Sequence, residues 1–99
     1  MTSDNGLMTN FLDTLNAIIA DRKAHPKAGS YTNTLLADRA KAAQKVGEEA
    51  TEVVVAALAQ SDERLTEEMA DLIYHSLVLL AARDIAWDDV LAVLEQRHR

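Results

Sequence analysis

Between Glu48 and Ala82 the chain carries neither glycine nor proline, and no other feature limits its fold so strongly. These residues cost a helix interior about 1 and 3 kcal/mol relative to alanine, and they are the usual punctuation between elements. The stretch is filled instead with Ala, Leu, Glu and Val, so it reads as two long helices around one short break. The triple valine at 53–55 favours a strand on propensity alone, but the flanking alanines and the missing turn residues outweigh it. The break is "QSDE" at 60–63, where Ser61 or Asp62 can cap the following helix.

Helical spacing continues on both sides. Leu7, Phe11, Leu12, Leu15, Ile18 and Ile19 predict an amphipathic helix over 7–24, ended by Pro26 and Gly29, with "HPKAGSYTN" as a loop. A helical turn around 34–37 leads into a long helix over 39–60. The next helix, 62–83, is apolar on nearly every side from Leu72 onward, apart from Tyr74, His75 and Ser76. Such a helix must be central, buried by neighbours or by a second subunit. Asp84 suits a left-handed closing turn. A last helix over 87–97 turns Val90, Leu91 and Leu94 inward, with Trp87 packing. The expected fold is all-α, a small bundle of about four helices that assembles at least into a homodimer.

The length of 99 residues fits one domain spanning 1–99, with 1–6 expected to be flexible. The chain has no cysteine, hence no disulfide and no thiolate ligand or nucleophile. "MTSDNGLMTNF" lacks the basic start and apolar middle of a signal peptide, and "SLVLLAA" at 76–82 is too short to cross a bilayer. A cytoplasmic protein without a membrane partner is expected. A net charge of −6 argues against a nucleic-acid partner, but a metal ion can reverse the local sign and admit a phosphate ligand.

The chemistry concentrates in two acidic clusters. On a helix, Lys45, Glu48, Glu49 and Glu52 fall within about a quarter of the circumference, opposite Ala43, Gly47, Ala50, Val54 and Ala57, which read as the core face. Glu48 and Glu52 are an i, i+4 like-charge pair, which costs an isolated helix roughly 0.2–0.5 kcal/mol. Taken alone, such a stripe is ordinarily a solvated face. The second cluster changes that reading. "EMAD" sets Glu68 and Asp71 at i, i+3 on the next helix, and Asp71 lies too deep to gain from the helix dipole. A hairpin about 61–62 would bring Glu52 level with Asp71, with Glu49 and Glu68 close by. Four carboxylates at close range cannot all stay ionised without a cation, and all-oxygen ligands favour Mg²⁺ or Mn²⁺. A di-iron bundle would want Glu-x-x-His on each of two helices, which this chain lacks.

"EEATE" at 48–52 with "EMAD" at 68–71 fits the E-E-x-x-E … E-x-x-D pattern of the all-α nucleotide pyrophosphohydrolase superfamily. "SYTNTLL" at 30–36, "QKVGEEATEV" at 44–53 and "EMADLIYHSLVLLAARDI" at 68–85 narrow the resemblance to the phosphoribosyl-ATP pyrophosphohydrolase family of histidine biosynthesis, over about 7–98. The chain departs from that family's pattern at "ADRAKAA" (37–43), where relatives carry a glycine. The resemblance implies hydrolysis of phosphoribosyl-ATP to the AMP derivative and pyrophosphate. It implies Glu49, Glu52, Glu68 and Asp71 as Mg²⁺ ligands, and Glu48 holding a second ion or orienting the attacking water. Glu48, Glu49 and Glu52 form the catalytic set. It also implies substrate contacts from Ser30, Tyr31 and Thr32; Lys45 can reach a phosphate or form an ordinary i, i+4 ion pair with Glu49, and Arg22 with Lys23 can face the substrate or simply suit the end of the first helix. The cyclohydrolase fused to many relatives is expected on a separate chain. Two alternatives stand beside this: a pyrophosphohydrolase for another nucleoside triphosphate, and a helical interaction module with an acidic face. His75 reads either as a partner of a carboxylate or substrate group or as a satisfied core side chain, and Arg39 has no assigned role.

Overall fold

The computed structural model describes residues 10–99, so the start of the first expected helix and the segment 1–6 lie outside the described residues. Five helices follow in order: α1 (Phe11–Ala24), α2 (Tyr31–Leu36), α3 (Arg39–Ala59), α4 (Asp62–Ala82) and α5 (Trp87–Arg97). No strand occurs among the described residues. The fold is all-α, and the element beyond the expected four is α2.

That short helix takes up part of the segment read as a loop. Ser30 caps it, its hydroxyl accepting from the Asn33 N–H at 3.2 Å, a contact type that contributes about 1 kcal/mol. Asn33 then fastens the preceding turn. Its amide donates to the Arg22 carbonyl, and its oxygen accepts from the Lys27 N–H, both at 2.8 Å. Gly29, at φ 81, supplies the left-handed residue this turn needs. At "ADRAKAA" an aspartate cap serves for helix entry: Asp38 accepts from the Lys41 N–H at 3.1 Å and α3 starts at Arg39.

α3 and α4 fold back on each other across Gln60 and Ser61, and α4 also packs on α1 and α2. Ser61 is the residue that caps α4, accepting from the Arg64 N–H at 3.1 Å. Asp84, at φ 58, closes the far end in the left-handed region, and Lys23 of α1 bonds both its carboxylate and the Ala81 carbonyl. The large fully buried side chains are Ile19, Leu35, Leu77 and Val78, with Ala42 beside them and Leu12, Leu15, Tyr74 and Trp87 packed around. Burial of each large aliphatic side chain contributes roughly 1.5–3 kcal/mol.

Two expectations about facing are corrected. The inward residues of α3 are Ala42, Glu49 and Ala56, whereas Ala43, Gly47, Val54 and Ala57 of the expected core face are exposed and Ala50 is half-buried. Glu49 turns inward because α3 and α4 set their acidic stripes toward one another, which a reading of one helix at a time cannot register. α5 packs only weakly on the other helices, and its Leu91 and Leu94 lie open instead of facing inward; Trp87 alone joins the core cluster. The radius of gyration is 15.0 Å, above the roughly 13 Å of a compact chain of this length. An apolar strip of Val54, Val55, Leu58, Met69 and Ile73 is uncovered, Leu58 being 82 % exposed.

Candidate active site

Glu49 lies eleven residues before Gln60 and Asp71 eleven after it. At 1.5 Å rise per residue, both sit at about the same height above the α3–α4 turn. The register thus centres on Gln60 and sets Glu49 opposite Asp71 and Glu52 beside Glu68, three residues along α3 from a pairing of Glu52 with Asp71. One carboxylate oxygen each from Glu49, Glu68 and Asp71 lies within 4.8 Å of the other two. Glu49 and Glu68 are buried, at 6 % and 5 % exposure, while Asp71 opens to solvent. Glu52 is exposed at the rim, against Glu68.

Such crowding has an electrostatic signature. A hydrogen bond shared with Glu52, then burial, then the Glu52 charge push the Glu68 carboxyl up to about 7, against the opposing pull of Arg64. Near neutrality Glu68 of the metal-free site is therefore only partly ionised. Two cations temper the rest. Lys45 lies 3.3 Å from Glu48 and 3.4 Å from Glu49, and Arg64 reaches Glu67 at 2.8 Å and Glu68 at 3.1 Å. Asp71 has no ion pair among the described residues. Glu48 is set apart from the trio: the Gln44 amide, 2.9 Å away, and Lys45 hold its carboxyl below the usual range. Its ion-pairing and hydrogen bonding in turn raise Lys45.

The Glu68 shift sets a stability trend. An ordinary carboxyl gives up its proton near 4.5, whereas folded Glu68 keeps its proton to about 7. Between these values the native chain binds the extra proton, so this group favours folding at low pH and loses that contribution as pH rises. In chelator-treated protein the melting temperature should fall from pH 5 to pH 7.5, and Mg²⁺ should flatten the slope. A melting temperature that climbs across this window without metal contradicts the shared proton.

A groove of about 330 Å³ is lined by Ile18, Arg22, Lys27 and the turn through Gly29, Ser30, Tyr31 and Thr32. Tyr31 links groove and carboxylates: its hydroxyl bonds His75 Nε2 at 3.0 Å, and His75 Nδ1 bonds the Asp71 main-chain oxygen at 2.7 Å. Ser30 is occupied as the α2 cap, Thr32 bonds the Tyr74 hydroxyl, and Arg22 pairs with Asp21 at 3.3 Å. Larger clefts, such as the one of about 620 Å³ between α1, the end of α4 and the start of α5, lie away from the carboxylates. Sequence reading missed Arg64, although its i, i+4 spacing to Glu68 is visible. It missed Asn33 and the Tyr31–His75 bond because neither has a local signature.

The donor set fits a hard divalent cation: three convergent carboxylates, no nitrogen or sulfur ligand among them, and one side open. Residues 12–98 match the phosphoribosyl-ATP pyrophosphohydrolase family. The chain is 49 % identical over 95 residues to a phosphoribosyl-ATP pyrophosphatase of Sulfurisphaera tokodaii, covering 94 % of this chain and all of that protein. To the enzyme of that name from Methanocella arvoryzae it is 42 % identical, also over 95 residues, with 93 % of this chain and all of the relative covered. A histidine biosynthesis bifunctional protein HisIE of Halalkalibacterium halodurans is 53 % identical over 87 residues, which are 87 % of this chain but 41 % of that longer protein.

Proposed function

Since the chain belongs to the phosphoribosyl-ATP pyrophosphohydrolase family, we propose that it hydrolyses phosphoribosyl-ATP to phosphoribosyl-AMP and pyrophosphate in histidine biosynthesis, with Mg²⁺ as cofactor. The observation that carries the reading furthest is the meeting of Glu49, Glu68 and Asp71 within 4.8 Å across the α3–α4 hairpin. An acidic face for a basic protein partner has no need of such convergence, nor of burying two of the acids. These three would hold the ion, with Glu52 at the rim as a further ligand. When bound, Mg²⁺ neutralises charge on the phosphoryl oxygens, which is most of what pyrophosphate hydrolysis requires.

The chain's own residues supply the rest. Glu48 stays ionised beside Lys45 and Gln44 and is suited to orient the attacking water and accept its proton. The water oxygen bonds to phosphorus, the α–β bridging bond breaks, and pyrophosphate leaves with the bridging electron pair. Lys45 and Arg64 each neutralise a buried carboxylate in the metal-free chain. Once a cation takes over that role, both are free to face substrate phosphates. The groove lined by Arg22 and the 30–32 turn is where this reading seats the rest of the substrate.

The same reading includes assembly. Few large side chains are fully buried, and the strip from Val54 to Ile73 together with the open face of α5 needs a cover. A second copy of the chain provides a matching apolar face by symmetry. Sedimentation at micromolar concentration should give at least the mass of a dimer; a 10.9 kDa species would remove this part of the reading. For the reaction itself, pyrophosphate release from phosphoribosyl-ATP should occur with Mg²⁺ and stop with chelator. Equal release without metal, or preference for an ordinary nucleoside triphosphate, would overturn it.

A further inference from the structure

His75 makes two hydrogen bonds that together decide which way a neighbouring proton points. Its Nδ1 lies 2.7 Å from the Asp71 main-chain oxygen. A carbonyl only accepts, so Nδ1 carries the hydrogen and, in the neutral ring, Nε2 is an acceptor. The Tyr31 hydroxyl, 3.0 Å away, therefore donates to Nε2. The ring is held in place by its surroundings. It is 7 % exposed and meets Tyr31 and Tyr74 edge-on, at centroid separations of 5.8 and 5.0 Å.

Tyr31, by contrast, is 46 % exposed and lines the groove with Arg22 and Ser30. With its hydrogen committed to His75, its oxygen can offer only lone pairs to a molecule in that groove. Lone pairs attract an O–H or N–H and repel a phosphate oxygen. A free tyrosine would present either face and could not discriminate in this way.

We propose that His75 is a positioning residue that holds the Tyr31 hydroxyl as a hydrogen-bond acceptor, so that Tyr31 reads a donor on the nucleoside part of the substrate, a sugar O–H or a base N–H, and turns phosphates away. The proposal rests on the nucleotide-hydrolase reading above. It divides the site in two: Tyr31 takes the uncharged donor-bearing part, while Lys45 and the carboxylate trio take the phosphate end.

The test compares Tyr31→Phe, His75→Leu and His75→Gln in the full chain with Mg²⁺. Pyrophosphate release is measured on phosphoribosyl-ATP and on its 2′-deoxy and 3′-deoxy analogues. Loss of one neutral hydrogen bond should raise KM roughly 5–10-fold in Tyr31→Phe, with kcat changing less than about 2-fold. His75→Leu should give the same rise. His75→Gln, whose amide can place an acceptor near the position of Nε2, should recover much of it, which loss of mere packing would not explain. If the donor is a hydroxyl of the ATP ribose, the Tyr31→Phe penalty disappears on the analogue lacking it; a penalty that persists on both analogues assigns the donor to the base N–H or to a hydroxyl of the second, N1-linked ribose. Unchanged KM in Tyr31→Phe, a loss confined to kcat, or His75→Gln no better than a folded His75→Leu overturns the proposal. Should His75→Leu fail to fold, His75→Gln is compared with Tyr31→Phe, which removes one oxygen from a half-exposed ring, and a KM for His75→Gln as high as that of Tyr31→Phe overturns the proposal. Wild-type protein without turnover would remove the hydrolase reading and this inference together, whereas wild-type turnover with unaffected variants removes only the inference.

Discussion

Glu68→Gln should abolish nearly all turnover while leaving the fold as stable as before or more so. Glu68 is buried beside Glu52, and that neighbour together with burial raises its carboxyl to about 7, so its charged form is disfavoured in the metal-free chain. Glutamine keeps the shape and removes the charge. At pH 8 the metal-free melting temperature should therefore hold or rise, although Arg64 loses an ion pair; Arg64 is half-exposed, where such pairs contribute little. Turnover should move the other way. A ligand oxygen with its full charge is lost where charge stabilisation of several kcal/mol is needed, so kcat should fall on the order of 10²–10³-fold or more. Glu67→Gln is the control. It also pairs with Arg64, but its side chain is 55 % exposed and outside the convergent trio, so activity and melting temperature should both stay near wild type. Equal losses in both variants, or normal turnover in Glu68→Gln, would contradict the site.

The second large effect concerns the helix that carries the site. α4 presents Glu68, Asp71 and His75 toward α3 and α2, and one turn further on it anchors through Leu77 and Val78, at 1 % and 0 % exposure. Leu77→Ala removes a buried isobutyl group from a core with few large members. Such truncations cost about 2–5 kcal/mol, depending on how far the cavity collapses. For a domain of this size that is a drop of roughly ten degrees or more in melting temperature. If α4 is pinned as described, the loss should be global and cooperative, and millimolar Mg²⁺ should recover part of it by mass action. A change of only a degree or two would mean that Leu77 is not a core anchor.

Much of the architecture is legible in the residues themselves. α3, α4 and α5 end within a residue of where the caps and breaks place them, because Ser61, Asp84 and the "QSDE" break act locally. α2 showed in the sequence only as a helical turn around 34–37, because six residues are too few to show a period and its cap, Ser30, also suits a turn. The inward face of α3 was misread for a physical reason. Charge on an isolated helix belongs in water, but in the hairpin Glu49 faces a second acidic helix and is buried there, with Lys45 of its own helix 3.4 Å away. The α5 misreading has a related cause: apolar residues at helical spacing show which face seeks cover, not which chain supplies it. Both acidic clusters could be found by spacing alone. Their exact register and the bond between Tyr31 and His75 join residues up to 44 apart and needed the fold, whereas the ion pair of Arg64 with Glu68 spans four residues and was open to a reading by spacing.

The central claim is that Glu49, Glu68 and Asp71 together hold a divalent cation. Its most direct test is anomalous scattering from crystals grown with Mn²⁺ as a magnesium substitute. The account predicts an anomalous peak between α3 and α4, coordinated by carboxylate oxygens of all three residues and lost in Glu68→Gln crystals. A peak elsewhere, or none at millimolar Mn²⁺ with phosphoribosyl-AMP and pyrophosphate present, would contradict it.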